Sequence, residues 1–186
     1  ASSERPQSWW FERSRGGGIT GALLSHLVDQ ATWLAGRQPL RATGYERTAL
    51  PERQAAGVRF TSDVADGAFA TIDYGAGAIA TVTADATRVV DSSLLAVHGA
   101  ERTAVASGSS ILDVTTFVID DDETSELELA PQAHNNLAAA HPNLPAFVTM
   151  LDAFAAAIAG NLAMLPTFED GVATQRVLEA VGYTTR

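Results

Sequence analysis

The sequence predicts an α+β domain whose helices pack on one face of an antiparallel sheet. Three observations carry this. Apolar residues recur at helical spacing between Ala22 and Ala35. From roughly Ala42 to Ala130 the chain is rich in Val, Ile, Thr, Phe and Tyr, broken by Gly, Asp and Ser, with no helical period between. Helical spacing then returns after Pro145. Strands joined by short turns without crossover helices must pair antiparallel. A length of 186 residues suits one domain, with 46% hydrophobic and 18% charged residues as in ordinary globular proteins.

Ala1 to Arg15 reads as a polar, extended lead-in carrying Trp9, Trp10 and Phe11. Gly16, Gly17 and Gly18 give a turn, and Thr20 is placed to cap the following helix. Leu23, Leu24, Leu27, Val28, Ala31 and Leu34 form its core-facing arc, and Gly36 with Pro39 stops it. Alternation marks strands at Phe69 to Tyr74 and Ile79 to Ala84, with Gly75-Ala76-Gly77 as the hairpin turn. Further strands are predicted near Val58–Ser62, Leu94–His98, Thr103–Ala106, Ile111–Ile119 and Glu126–Leu129. Pro145 suits a first helical turn, and Phe147, Leu151, Phe154 and Ile158 follow as a helical stripe ended by Gly160-Asn161. A last helix is predicted over Glu169 to Val181, with Phe168, Val172, Leu178 and Val181 inward.

Composition removes several function classes. A net charge of −10 without a basic stripe argues against nucleic acid and anionic membranes as partners. With no cysteine, disulfides and thiolate metal sites are ruled out, which suits the cytoplasm. No apolar run reaches the length of a membrane span. The first residue is Ala1, with no signal pattern after it, so the chain is expected to begin mid-protein.

Gly75-Ala-Gly77-Ala-Ile-Ala80 has the spacing of a dinucleotide fingerprint. That motif needs a helix after the glycines, and Thr81-Val82-Thr83 continues a strand instead. The acidic run Asp120 to Glu123 lacks calcium-loop spacing and reads as a solvated turn. His98, His134 and His141 show no metal-ligand spacing and read as structural or exposed. His26 differs. At 100° per residue it shares a helix face with Ala22, Asp29, Gln30 and Trp33. A carboxylate three residues from an imidazole can orient it for proton transfer. The alternative is a face that is merely polar, and spacing alone does not choose.

The stretch Gly16-Gly17-Gly18-Ile-Thr-Gly-Ala22-Leu-Leu-Ser25-His26-Leu-Val-Asp29, with Trp9-Trp10-Phe11 before it and Trp33-Leu34-Ala35-Gly36 after, resembles the C-terminal domain of the glucose–fructose oxidoreductase/inositol dehydrogenase (Gfo/Idh/MocA) family. So does the tail from Pro166 through Phe168, Asp170, Gly171 and Gln175 to Val181, and Val97-His98-Gly99-Ala100 fits in order.

The resemblance implies a large, mainly antiparallel sheet and a single C-terminal substrate and oligomerisation domain over 1–186. The N-terminal Rossmann domain that binds NAD or NADP would be absent from this chain. It implies a small-molecule substrate, a sugar, polyol or similar hydroxyl/carbonyl compound, and a homodimer or homotetramer formed through the sheet. His26 would assist proton transfer, with Asp29 beside it. Trp10, Arg15 and Ser25 are expected at the substrate by proximity. Where many members carry an aspartate four residues before the histidine, this chain has Ala22, and Leu24 stands for a glycine. As an isolated piece the chain is expected to bind no cofactor and to be inactive. A second reading, from another class, is a non-catalytic binding or oligomerisation module on the same fold.

Overall fold

The computed structural model describes residues 6–89, 91–110, 113–121, 123–128, 130–161 and 165–184. Among these, the strands are β1 (Arg41–Arg47), β2 (Glu52–Ala55), β3 (Val58–Thr61), β4 (Gly67–Gly75), β5 (Ala78–Asp85), β6 (Ser93–His98), β7 (Arg102–Ser110), β8 (Asp113–Asp120) and β9 (Glu123–Glu126). The helices are α1 (Ser25–Ala35), α2 (Leu144–Ile158) and α3 (Phe168–Ala180). All sheets are antiparallel, giving the α+β class. The chain folds into two compact units, residues 1–89 with 166–186, and residues 90–165.

In the first unit β1, β4 and β5 form one sheet in the order β1-β4-β5. The register pairs Ala42, Gly44 and Glu46 with Ile72, Ala70 and Ala68, and these with Ala80, Val82 and Ala84. Even-numbered residues therefore share one face, and they join Leu24, Val28, Val177, Leu178 and Val181 in a single core. Alanine and glycine dominate that face, so the helices approach the backbone closely. A side chain at Gly44 would strike the Phe69 carbonyl of the paired strand and the Val181 methyl, so only glycine fits. Odd residues face outward: Thr43, Thr71, Thr81 and Thr83 are exposed, and Tyr45 stacks on Phe69 at 4.9 Å. Threonine there combines strand propensity with a wettable surface. Gly75, Ala76 and Gly77 all have positive φ and close the β4–β5 hairpin.

The β2–β3 hairpin holds a satellite cluster in which Phe11 packs on Phe60 and Ala55, with Trp10 against it. The lead-in is thus not extended throughout, although Ser8 and Glu12 are. It makes two turns of 3-10 helix, Trp9–Phe11 and Arg13–Arg15, because Phe11 has an apolar pocket to fill. Residues 1–5 of that lead-in lie outside the described residues.

The second unit is a β6-β7-β8-β9 meander, a 3-10 turn Asn135–Ala139, and α2. The acidic run is the β8–β9 turn, with Asp121 at φ 49°; Asp122 lies outside the described residues. So do Ile111, Leu112 and Leu129 of the expected strands. The last strand is Glu123–Glu126, earlier than the Glu126–Leu129 predicted.

Several expected core positions are exposed. Phe147, Leu151, Phe154 and Ile158 on α2 are between 46% and 76% exposed, so the stripe exists but is not buried within this chain. On α3 the inward residues are Val177, Leu178 and Val181, while Phe168 and Val172 sit outside. Phe168 opens the helix, beyond the sheet face that the later turns cover. Leu23, just before α1, and Leu34 on it are exposed, and Thr32 is buried instead, its hydroxyl 3.1 Å from the Tyr74 hydroxyl. Burial raises the Tyr74 pKa above its ordinary value, and the Thr32 contact partly offsets this.

Three carboxyl groups in the first unit are held below their ordinary values by hydrogen bonds. They are Asp73 by the Gly75 amide and Arg41, Asp85 chiefly by Thr87 and then Arg47, and Asp170 by the Thr167 amide and hydroxyl in a capping box. A depressed carboxyl stabilises the fold above its unfolded value of about 3.9, and that contribution is lost as pH falls further. The slope of unfolding free energy against pH should therefore flatten in Asp85→Asn on the acid side of about pH 4, measured by denaturant titration. Parallel curves for the two proteins would remove Asp85 from acid sensitivity.

Candidate functional site

The glycine run does not lead straight into an α-helix. Thr20–Leu24 forms a π-helical turn, and α1 follows without interruption. Such wide turns often sit at functional sites. Thr20 is not the cap expected from the sequence. Its hydroxyl bonds to the Glu46 carboxylate, whose other oxygen pairs with Arg13 at 3.0 Å. The Ile19 amide donates to the Ala65 carbonyl at 3.2 Å. The turn is thus tied to the sheet by groups from three segments, which fixes how α1 enters the fold. Leu24 and Val28, both fully buried, anchor one side of the helix, and each contributes about 1.5–3 kcal/mol of burial.

The opposite side of α1 carries the candidate chemistry. Ser25, His26 and Asp29 line a cleft of about 420 Å³ together with Gly21, Gly171, Thr174, Gln175, Leu178 and Tyr183. The structure therefore brings three of the five sequence-predicted residues together. Trp10 and Arg15 do not line this cleft. Trp10 packs with the Phe11 cluster, and Arg15 is exposed beside Glu12 at 3.5 Å.

His26 and Asp29 are exposed and, among the described residues, neither makes a hydrogen bond or ion pair. Asp29 thus does not hold the imidazole directly, and both groups are free to meet a ligand. Ser25 donates to the Gly21 carbonyl at 2.6 Å, so its hydroxyl keeps only acceptor capacity for a ligand. Tyr183 is buried and donates to the Gly16 carbonyl at 3.2 Å. A methyl at Gly21 would run into that phenol ring, its Cζ only 2.8 Å away, which is why the position is glycine.

Sequence reasoning missed Gly171, Thr174, Gln175 and Tyr183 as site residues. A signal existed: residues 171, 174, 175 and 178 share one helix face at i, i+3, i+4 and i+7. Each of the remaining histidines lies outside this cleft and has a local partner. His98 Nδ1 meets Thr103 Oγ1 at 3.1 Å, His134 meets Asp152 at 2.7 Å, and His141 Nδ1 accepts from the Asn143 amide at 3.2 Å. Among the described residues no group of three or more His, Asp or Glu side chains is placed to hold a metal ion. None of the described helices is long and apolar enough to cross a membrane.

Residues 1–105, which include the π-helical turn and α1, match the GFO/IDH/MocA C-terminal domain model. The chain belongs to the GFO/IDH/MocA family. No curated protein matches the sequence. Among solved structures it is similar to an oxidoreductase domain protein from Kribbella flavida, at 21% identity and TM-score 0.76 over 99% of this chain and 52% of that one. It is similar to levoglucosan dehydrogenase in complex with NADH and levoglucosan, at 20% identity and TM-score 0.72 over 99% and 52%. The Gal80p super-repressor mutant from Saccharomyces cerevisiae shares 13% identity and TM-score 0.72 over 99% and 52%. This family member spans about half the length of those structures.

Proposed function

We propose that the two units together form the substrate and oligomerisation domain, residues 1–186, of an NAD(P)-dependent oxidoreductase acting on a sugar, polyol or similar hydroxyl/carbonyl compound. The observation that carries this is the cleft in which Ser25, His26 and Asp29 of the matched family segment stand with Thr174 and Gln175 of α3. His26 takes a proton from a substrate hydroxyl, or returns it in the reverse direction. Asp29, having no partner among the described residues, accepts a hydrogen bond from a second hydroxyl.

The one run with dinucleotide-fingerprint spacing gives no support for a nucleotide site on this chain. The run with fingerprint spacing is the β4–β5 turn, and its amides do not open a helix. In this proposal NAD(P) is held by a Rossmann domain of a longer protein. Similarity to a dehydrogenase solved with NADH supports the assignment. Titrating NADH and NADPH into the 186-residue chain is expected to show no micromolar binding and no turnover, and micromolar affinity would refute this division of labour.

Self-association through the β6–β9 sheet is part of the proposal. Leu94 and Ile119 on one face, and Val97 and Val114 on the other, are exposed, and apolar sheet faces of this kind want a cover. The absence of cysteine suits a cytoplasmic protein. A second reading, a non-catalytic module, is favoured by Ala22 in place of the frequent aspartate, and by the shared fold with a protein named as a repressor.

A further inference from the structure

We infer that Ser25 is a positioning residue rather than a substrate contact: its hydroxyl caps the backbone carbonyl released by the π-helical turn and so holds the first turn of α1, which carries His26. The inference rests on the reading that the cleft beside α1 is the reactive site.

The hydrogen-bond ladder at the start of α1 is out of step by one residue. In an α-helix the Ser25 amide would donate four residues back, to the Gly21 carbonyl. Here it donates five residues back, to the Thr20 carbonyl. The Gly21 carbonyl thereby loses its usual amide, and the Ser25 hydroxyl donates to it at 2.6 Å. Serine in a regular helix also bonds to the carbonyl four residues back, but there the carbonyl already has an amide donor. At Gly21 the hydroxyl is the replacement. Leu24, at the cap position of α1, brings no capping side chain, so this bond secures a helix start that an N-cap would otherwise secure.

The excess residue is trapped because both ends of the turn are fixed. Upstream, the Ile19 amide donates to the Ala65 carbonyl, and the fully buried Thr20 hydroxyl donates to Glu46, which also binds Arg13. Downstream, Leu24 and Val28 are locked in the core and Thr32 meets Tyr74. An α-helix would join Thr20 to Leu24 with one residue fewer. The wide turn takes up that residue and brings the Gly21 backbone against the Tyr183 ring, where no β-carbon fits. Tyr183 in turn donates to the Gly16 carbonyl. Gly21, Ser25, His26 and Tyr183 therefore line one stretch of the cleft, and the turn decides how firmly the imidazole is held there.

Amide hydrogen exchange in the 186-residue chain tests the cap. Ser25→Ala should speed exchange at positions 24 to 26 about tenfold, the worth of one hydrogen bond, with the Ile72 and Val177 amides unchanged. Ser25→Thr, which keeps a hydroxyl, should restore the original rates. Deleting Ala22 is the sharper variant. It turns the Ser25–Thr20 bond into a four-residue bond and returns the His26 amide to the Gly21 carbonyl. The shortened chain should melt within about 3 °C of the parent, and adding Ser25→Ala to it should no longer change exchange. In the full-length protein Ser25→Ala should lower kcat about tenfold with KM little changed, and Ser25→Thr should recover it. A substrate contact would instead raise KM. Unchanged exchange in Ser25→Ala, faster exchange that persists without Ala22, unfolding of the deletion variant, or a rise in KM alone would overturn the inference. His26→Ala separates it from the underlying reading. Full turnover in that variant removes the reactive role of the cleft, while the exchange results decide the cap on their own.

Discussion

Replacing His26 with alanine in the full-length protein is expected to cut turnover by about 10²–10⁴-fold, the usual worth of a positioned acid/base group. Stability should change by no more than about 0.5 kcal/mol, because the side chain is exposed and makes no bond among the described residues. This separation of activity from stability is the signature to look for. The imidazole sits on a helix whose other side is locked by Leu24 and Val28, and whose start is tied through Thr20 to Glu46. Losing it leaves the scaffold in place and removes only the proton carrier. Steady-state kinetics with the best substrate, alongside thermal melts, give both readings. A variant that keeps full kcat while melting normally would remove His26 from the mechanism and favour the non-catalytic module.

The second large effect is expected in the scaffold. Asp66 is nearly inaccessible. Its carboxylate accepts from the Ala49 and Leu50 amides at 2.8 Å each, and pairs with Arg53 at 3.3 Å. Arg53 is itself largely buried over the Phe11 ring, its guanidinium 5.6 Å from the centroid. Asp66→Ala would strand a buried guanidinium and two amides, at a cost of about 3–5 kcal/mol. Asp66→Asn keeps the shape and one good acceptor, so its loss should fall between alanine and wild type. Urea unfolding measures both. A loss within about 1 kcal/mol for alanine would show that water reaches these groups and compensates them. Because the neighbouring Ala65 carbonyl accepts from the Ile19 amide, the damage should extend to the π-helical turn.

Periodicity made much of this fold legible. The β4–β5 hairpin was readable because alternation and a glycine turn agree, and α1 because apolar spacing ends at Gly36, where φ is 63°. Burial was less legible, since spacing marks an apolar face without saying what covers it. Phe147, Leu151, Phe154 and Ile158 have helical spacing yet stay exposed in this chain, while Thr32 is buried because Tyr74 offers a hydroxyl partner. The strand β1 was hidden by Arg41, Gly44, Glu46 and Arg47, which are poor strand signals held in place by pairing with β4.

For the site, local sequence was enough to bring Ser25, His26 and Asp29 together, since one helix carries them. Thr174, Gln175 and Tyr183 come from far along the chain, and only the packing of α3 on the sheet beside α1 delivers them. Trp10 and Arg15 stay outside the cleft for the converse reason. They are near in sequence, but the 3-10 turns lead them to the Phe11 cluster and to solvent.

The central claim is that this chain is the substrate side of a two-domain oxidoreductase. Sequencing the gene upstream of Ala1 tests it most directly. The account predicts a strand, a glycine-rich turn and a helix, followed by a lysine-bearing loop, in the same reading frame. An unrelated neighbouring domain, or a start codon immediately before Ala1, would contradict it.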